Sequence, residues 1–339
     1  MLAGNDAILV VRLNPDPANP KQYGPDAELL EVIGNREPLL EGARTIPLNR
    51  IISDDKPVKP RTLIIIGDHK QGRWHWHQGI DSTAETVRCF KGLARLDLKD
   101  NQKVLRHSFD FLYSANSTVA SAALAEWTKS APADVTRVAK QLPAAKVRAL
   151  VQDEKAEKSI RSFAAFLLGH CGEEKDVSLI RRLLEMEETS SRPEAVLKAY
   201  VLLRPKEGWA YLGALIKHPE RPFIVRYDCL RTARYFHSDH PNLIAKKDIE
   251  RLFADTLKQE DIADFLIEDF RRWRCWDYTD RVLALFTSKT HEAPVIKRAI
   301  LRYALCCPDP ACDSFVTGQR RRDREWVADT EELLKLEEP

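Results

Sequence analysis

The sequence lacks any apolar run approaching the about 20 residues that a membrane-spanning helix needs. It also lacks an excess of one charge: 53 Lys and Arg stand against 51 Asp and Glu, a formal net charge of +2. Because the two signs are interspersed, the overall field does not indicate a polyanionic partner such as nucleic acid. The first residues lack the cationic and apolar segments of a secretory signal. We therefore expect a soluble protein, cytoplasmic unless its N-terminus has been trimmed, in which case exported.

Common catalytic signatures are missing as well. The sequence has no G-x-G-x-x-G, G-x-x-x-x-G-K-[ST], G-x-S-x-G or H-E-x-x-H segment, which argues against the usual nucleotide and hydrolase sites. Its seven cysteines are irregularly spaced, and an odd number in a large chain argues against a disulfide framework. We predict that most of them are buried thiols.

Short apolar runs bounded by turn-forming residues occupy the first hundred residues. They are rich in β-branched side chains, which is typical of strands, and they lie at 7–13, 29–33, 44–51 and 62–66. The proline-rich stretch 14–26 is predicted to be a loop. The sequence thus predicts a small β-rich domain over residues 1–103, a mainly antiparallel barrel or sandwich.

From about residue 104 onwards the apolar period becomes 3.6, which indicates amphipathic helices. In the segment EKSIRSFAAFLLG, for example, Ile160, Phe163, Ala164, Leu167 and Leu168 form one continuous stripe. Helices predicted at 157–169, 193–204, 223–236, 261–274 and 293–306 are each followed by a short turn and a second helix. Such pairs recur roughly every 31 to 38 residues, which predicts a helical solenoid over residues 104–339.

These paired apolar helices resemble the HEAT-like, armadillo-type repeat proteins, although no repeated Asp/Arg ladder is evident in the inter-helix turns. The N-terminal part is more distantly similar to OB-type or netrin-like small β-barrels. The resemblance implies an α+β chain: a small β-rich N-terminal barrel or sandwich followed by an all-α HEAT-like superhelical solenoid. It implies nothing specific about function, because packing positions define such repeats.

Tryptophan and histidine alternate in the segment GRWHWHQ, residues 72–78. In a strand, Trp74 and Trp76 would occupy one face, and His75 and His77 the other. The simpler interpretation places the tryptophans in the core and leaves the histidines solvated, with Asp68 making a weak surface ion pair.

Two hairpin registers make this segment a candidate metal site. A two-residue turn at 71–72 would place Asp68 opposite His75, so that Asp68, His75 and His77 share one face. A three-residue loop at 70–72 would instead bring His69 beside His75 and His77. Both registers supply two imidazoles and a third ligand, a set that suits Zn²⁺ or a similar divalent ion, and an open coordination position would be typical of catalysis.

A second candidate site lies in the segment EDFRRWRCWDYTD, residues 268–280. Positive charge and an aromatic face occur together here, in Arg271, Arg272, Arg274 and Trp276. Contacts to phosphate or single-stranded nucleic acid require this combination. However, the carboxylates at 268 and 269 have the spacing of intrahelical ion pairs with the first two arginines. A helix end covered by paired charges is the simpler interpretation.

Two inter-helix turns also carry titratable groups. Cys306, Cys307 and Cys312 lack C-x-x-C pairs and are predicted to pack in a turn and the core. His237 and His240 flank another turn; we predict exposed histidines there, with contact to a ligand on the solenoid rim as the alternative.

The overall prediction is a non-catalytic binding or scaffolding protein, without enzymatic activity or cofactor, whose solenoid surface binds a protein or peptide. One alternative is a metal-dependent enzyme or metal-binding protein that uses the His75/His77 face. A second alternative is a single-stranded nucleic-acid binder, although nucleic acid is the less expected partner.

Overall fold

A computed structural model describes residues 7–34, 40, 42–48, 52, 56–71, 73–187 and 193–337. The N-terminal part contains seven strands: β1 (Ala7–Leu13), β2 (Pro15–Asp16), β3 (Asn19–Tyr23), β4 (Asp26–Gly34), β5 (Thr45–Pro47), β6 (Arg61–Lys70) and β7 (Arg73–Asp81). Five of them form one sheet in the order β5-β4-β1-β6-β7, with antiparallel neighbours throughout.

Strand β1 is apolar along almost its whole length because both faces of the sheet are covered. Its odd-numbered residues, from Ala7 to Leu13, pack in one core with Ile46, Ile65 and Trp74. Ile8 and Val10 point the other way and pack with Ile64, Ile66, Ile80 and Phe90. A strand buried on both sides loses the alternation of polar and apolar residues, which explains the continuous run AILVV.

The prediction of a loop over residues 14–26 is wrong. Strands β2 and β3 form a separate two-stranded sheet in which Pro15 pairs with Tyr23. Prolines, which have no backbone N–H, are tolerated in such a short pair because some of its positions donate no hydrogen bond to the other strand. Tyr23 fastens the pair to a later segment, since its N–H donates to the carbonyl of Ile52 at 2.9 Å.

Helices follow β7 to the end of the described chain. The first eight are α1 (Ala84–Ala94), α2 (Asn101–Phe109), α3 (Ser117–Lys129), α4 (Pro132–Ala139), α5 (Ala144–Gln152), α6 (Lys158–Cys171), α7 (Val177–Glu187) and α8 (Glu194–Leu203). The others are α9 (Pro205–Lys217), α10 (Phe223–Asp239), α11 (Lys246–Thr256), α12 (Glu260–Trp273), α13 (Thr279–Ala284), α14 (Pro294–Cys306), α15 (Pro310–Arg322) and α16 (Arg324–Glu337). The predicted α+β class, β-rich first and helical afterwards, is confirmed. Over the ranges described, none of these helices is long and apolar enough to cross a membrane.

The chain forms two compact units, Met1–Ala164 and Ala165–Pro339. In the first, Phe90 of α1 packs on the sheet. In the second, the inward faces of successive helices bury large aromatic rings completely, among them Phe236, Phe253, Phe270 and Tyr303. Burial of each such side chain contributes roughly 1.5–3 kcal/mol, so the apolar stripes supply the main stabilisation of this unit.

Ion pairs in the second unit join helices that lie one helix pair apart. Arg226 of α10 donates to Asp261 of α12, 35 residues later. Arg234 of α10 donates through Nε to both carboxylate oxygens of Asp269, at 3.0 and 2.8 Å and again 35 residues apart. Desolvation raises the pKa of Asp269 to about 6, although Arg234 opposes that shift. These pairs lie within helices, so no Asp/Arg ladder is evident in the sequence of the inter-helix turns.

The β6–β7 ladder contains one irregularity, at Gly67. Ile66 pairs with Gln78 while Gly67 pairs with Trp76, so His77 is the extra, unpaired residue of a β-bulge. A Cβ on Gly67 would lie 2.4 Å from the carbonyl oxygen of His75 and 2.5 Å from the Trp76 ring. Only glycine fits at this point without displacing β7.

We predict that Gly67→Ala destabilises the sheet by about 1–3 kcal/mol, the usual effect of overpacking. Denaturant unfolding followed by tryptophan fluorescence would measure the loss. Gly79→Ala is the matched control, because a Cβ there would meet only Leu63 at an ordinary 3.5 Å. Equal effects of the two substitutions would contradict the steric role given to Gly67.

Candidate functional site

The turn between β6 and β7 adopts the two-residue register. Asp68 pairs with His75, His69 with Trp74, and Lys70 with Arg73. Gln71 has a φ of 51°, the left-handed conformation that a tight hairpin turn requires. The alternative, a three-residue loop with His69 beside His75, is therefore not the one adopted.

The two faces of the hairpin differ in character. Trp74 is buried and stacks on Trp76 with ring centroids 4.9 Å apart, and Trp76 Nε1 donates to the carbonyl of Pro47 at 2.9 Å. His69 lies on this tryptophan face, 5.2 Å from the Trp74 ring. The tryptophans thus have the core role predicted for them, and His69 is separated from His75.

Asp68 and His75 face each other on the opposite side of the sheet. Asp68 is buried and forms an ion pair with Lys70, whereas His75 is exposed to solvent. The side chain of His77 lies outside the described residues, so its predicted place on this face stays a prediction. Among the side chains that the structure describes, no group of three or more His, Cys, Asp and Glu is arranged to hold a metal ion.

The arginine-rich segment lies where α12 ends. Arg271 is largely buried and donates to Glu268 at 2.9 Å and to Glu337 of α16 at 2.8 Å. Arg274 adopts the left-handed conformation that ends the helix, and Trp276 packs edge-on against Tyr303 at 5.0 Å. Arg272 is exposed. Of the four candidate binding residues, Arg271 and Trp276 thus have structural partners, while Arg272 and Arg274 face solvent.

Glu268 accepts from a second arginine as well. Arg302 of α14 bonds to Glu268, and its Nη2 lies 2.6 Å from Glu337. The two guanidinium groups and two carboxylates form a neutral cluster across α12, α14 and α16, which we call the Glu268 cluster. The carboxylates hold the pKa of both arginines above the usual value, although burial opposes this. The Glu268 cluster therefore presents no net positive charge to an anionic partner.

The second unit contains a titratable cluster that the sequence analysis missed. The hydroxyl of Tyr235 in α10 lies 3.2 Å from Nε2 of His170 and 2.7 Å from Nε2 of His240. His240, for which the sequence predicts an exposed turn histidine or a contact with a ligand on the solenoid rim, is half-buried in this cluster. No local signal reveals the cluster, because His170 and Tyr235 are 65 residues apart.

The other flagged turn residues pack in the interior. His237 is buried and stacks on Trp273 with ring centroids 3.7 Å apart, which corrects its prediction as an exposed residue. Burial lowers the pKa of His237, so its neutral form is favoured. Cys307 and Cys312 are buried, as predicted, and burial raises the pKa of Cys312 to about 12. All seven cysteines are free thiols, and five of them are buried.

Comparison with known proteins identifies no family. No protein-family model matches the chain, and no curated protein matches it. One solved structure does: human deoxyhypusine hydroxylase in complex with glycerol, with 13% sequence identity, 69% of this chain and 95% of that chain covered, and a TM-score of 0.28. At that TM-score the match assigns no substrate and no residue role to this chain.

The predicted function nevertheless needs correction. The sequence analysis expects a non-catalytic binding or scaffolding protein without enzymatic activity. The matched protein is a hydroxylase, that is, an enzyme. Because the matched protein is an enzyme, the predictions of a scaffold and of no enzymatic activity are withdrawn.

We predict that Glu268→Gln lowers the free energy of unfolding by about 1–2 kcal/mol, between the values of exposed and of fully buried ion pairs. The reason is that Arg271 and Arg302, both 11% exposed, would share Glu337 alone. Thermal or denaturant unfolding would measure this loss. Asp248→Asn, which removes an exposed pair with Arg251, is the control and should change stability by less than about 0.5 kcal/mol.

Proposed function

We propose that this chain is a metal-dependent enzyme that holds a divalent cation on the Asp68/His75 face of the β6–β7 hairpin. The observation that carries this proposal is the pairing of Asp68 directly opposite His75. Directly opposed residues on one face of an antiparallel pair have Cβ atoms about 5 Å apart, close enough for one ion to contact both side chains.

The two side chains offer complementary ligand chemistry. A carboxylate oxygen and an imidazole nitrogen are both ligands of Zn²⁺, which also accepts water in an open position at catalytic sites. Asp68 is buried whereas His75 is exposed, so an ion between them would keep one side toward solvent. When bound, such an ion would supply Lewis-acid chemistry. His77 stays the predicted third ligand, since its side chain lies outside the described residues.

Lys70 is the natural competitor for this ion. Its ammonium group pairs with Asp68 from the same strand, and a bound cation would have to replace it. The Lys70 side chain is 72% exposed and that of Asp68 only 11% exposed, so the ammonium group can move into water, and a bound cation would then compensate the buried carboxylate in its place.

We also infer that the helix pairs of the second unit are HEAT-like repeats. The support is the similar spacing of the ion pairs at two successive interfaces: 35 residues for Arg226 with Asp261, which joins α10 to α12, and 34 residues for Glu268 with Arg302, which joins α12 to α14. Stacked repeats make equivalent contacts with their neighbours at one repeat length.

Calorimetric titration of metal-free, untagged protein with Zn²⁺ would test the metal site. We expect one equivalent of Zn²⁺ to bind. Asp68→Asn and His75→Ala should each weaken binding about tenfold or more, and a tenfold change in Kd corresponds to ~1.4 kcal/mol. Lys70→Met should tighten binding, because Asp68 would no longer have to exchange one cation for another.

His69→Ala is the matched control, since His69 lies on the tryptophan face and its loss should leave Zn²⁺ binding unchanged. The proposal is wrong if the wild-type protein binds no stoichiometric metal. It is equally wrong if a His75→Ala/His77→Ala double variant binds Zn²⁺ as the wild type does.

A further inference from the structure

Three titratable side chains of the second unit meet around one oxygen atom. Tyr235 Oη lies between His170, in the last turn of α6, and His240, which follows α10, at 3.2 and 2.7 Å from their Nε2 atoms. All three residues are half-buried. Each of the three residues therefore keeps part of its surface in contact with solvent.

The imidazole tautomers decide which groups donate in this cluster. A phenol carries one proton, so its hydroxyl can donate to one Nε2 and must accept from the other. The shorter contact is with His240 and the longer one with His170. We assign the donor role toward Tyr235 to His240, because the weaker bond to His170 is the one that another acceptor would displace.

A positive charge lies against the ring of Tyr235. The Lys198 ammonium is 4.7 Å from the ring centroid and pairs with Glu194, which also accepts from Arg231 at 3.0 Å. A nearby cation stabilises negative charge that develops on or next to the phenol oxygen. The surroundings thus favour a reaction in which an oxygen atom bound to Tyr235 becomes negative.

Aromatic contacts hold the two imidazoles in place. His170 lies edge-on to Phe166 with ring centroids 5.0 Å apart, and the His240 ring is 4.8 Å from Tyr235 and 5.9 Å from Phe236. These contacts limit ring rotation, and preorganised donors are the ones that stabilise developing charge best.

We propose that Tyr235 and His170 form an acid–base catalytic site for acyl substrates such as carboxylic esters. The ester carbonyl oxygen replaces His170 as the acceptor of the Tyr235 hydroxyl, and the freed Nε2 of His170 takes a proton from water. The water oxygen bonds to the carbonyl carbon, and the negative oxygen is held by Tyr235. The bond to the leaving oxygen then breaks, and that oxygen receives the proton from His170. His240 and Lys198 are positioning residues that act through Tyr235.

Hydrolysis of 4-nitrophenyl acetate by the full-length chain, with EDTA present so that no metal contributes, tests this proposal. We expect Tyr235→Phe and His170→Gln each to lower kcat/KM about tenfold or more, since positioned acid–base groups contribute at least this much. His218→Gln is the control: His218 is exposed and pairs with Glu220, and its loss should change the rate by less than about twofold. A smaller fall in either test variant overturns the proposal.

Lys198→Met gives a second, independent readout. The methionine keeps the apolar stem over the rings but removes the charge, so kcat should fall while KM stays unchanged. Circular dichroism on every variant would show that the fold is intact. An unchanged kcat in a folded Lys198→Met protein overturns the role given to the ammonium group, and wild-type hydrolysis no faster than that of free imidazole overturns the site as a whole.

Discussion

The close approach of the β7 backbone to Gly67 decides what the hairpin can do. Where the carbonyl of His75 and the ring of Trp76 come so near, no side chain fits on β6. The extra residue of β7, His77, forms a β-bulge at this point. The pairing between the bulge and the turn places Asp68 opposite His75. A shift of one residue would exchange the two faces, placing a histidine in the tryptophan core and a tryptophan in water.

Periodicity is sufficient to predict the α+β class and the limits of several helices, because each such helix displays its buried face locally. The helices α6, α8, α10, α12 and α14 begin and end within a few residues of the predicted limits. The β2–β3 pair could not be predicted in this way, since neither strand has a repeating apolar face. Its order comes from partners far along the chain, such as the carbonyl of Lys59, which accepts from the Tyr23 hydroxyl at 3.0 Å.

The sites were predicted only in part, for a related reason. The hairpin partners Asp68 and His75 are close in sequence. Only two hairpin registers had to be considered, and one of them pairs these two residues. The cluster around Tyr235 joins residues from separate helices, and helical spacing alone does not tell which residues of two repeats will meet. The same limitation applies to Arg271, whose partner Glu337 is 66 residues away.

The ion pairs between successive helix pairs have a consequence for how the second unit unfolds. If α10 or α12 opened alone, Asp269 or Arg226 of the other helix, each only 3% exposed, would lose its guanidinium or carboxylate partner. An uncompensated buried charge is costly, so these pairs favour the opening of α10 and α12 together over the opening of either helix alone. Helices coupled in this way lose their structure together, as one cooperative block, rather than one after the other.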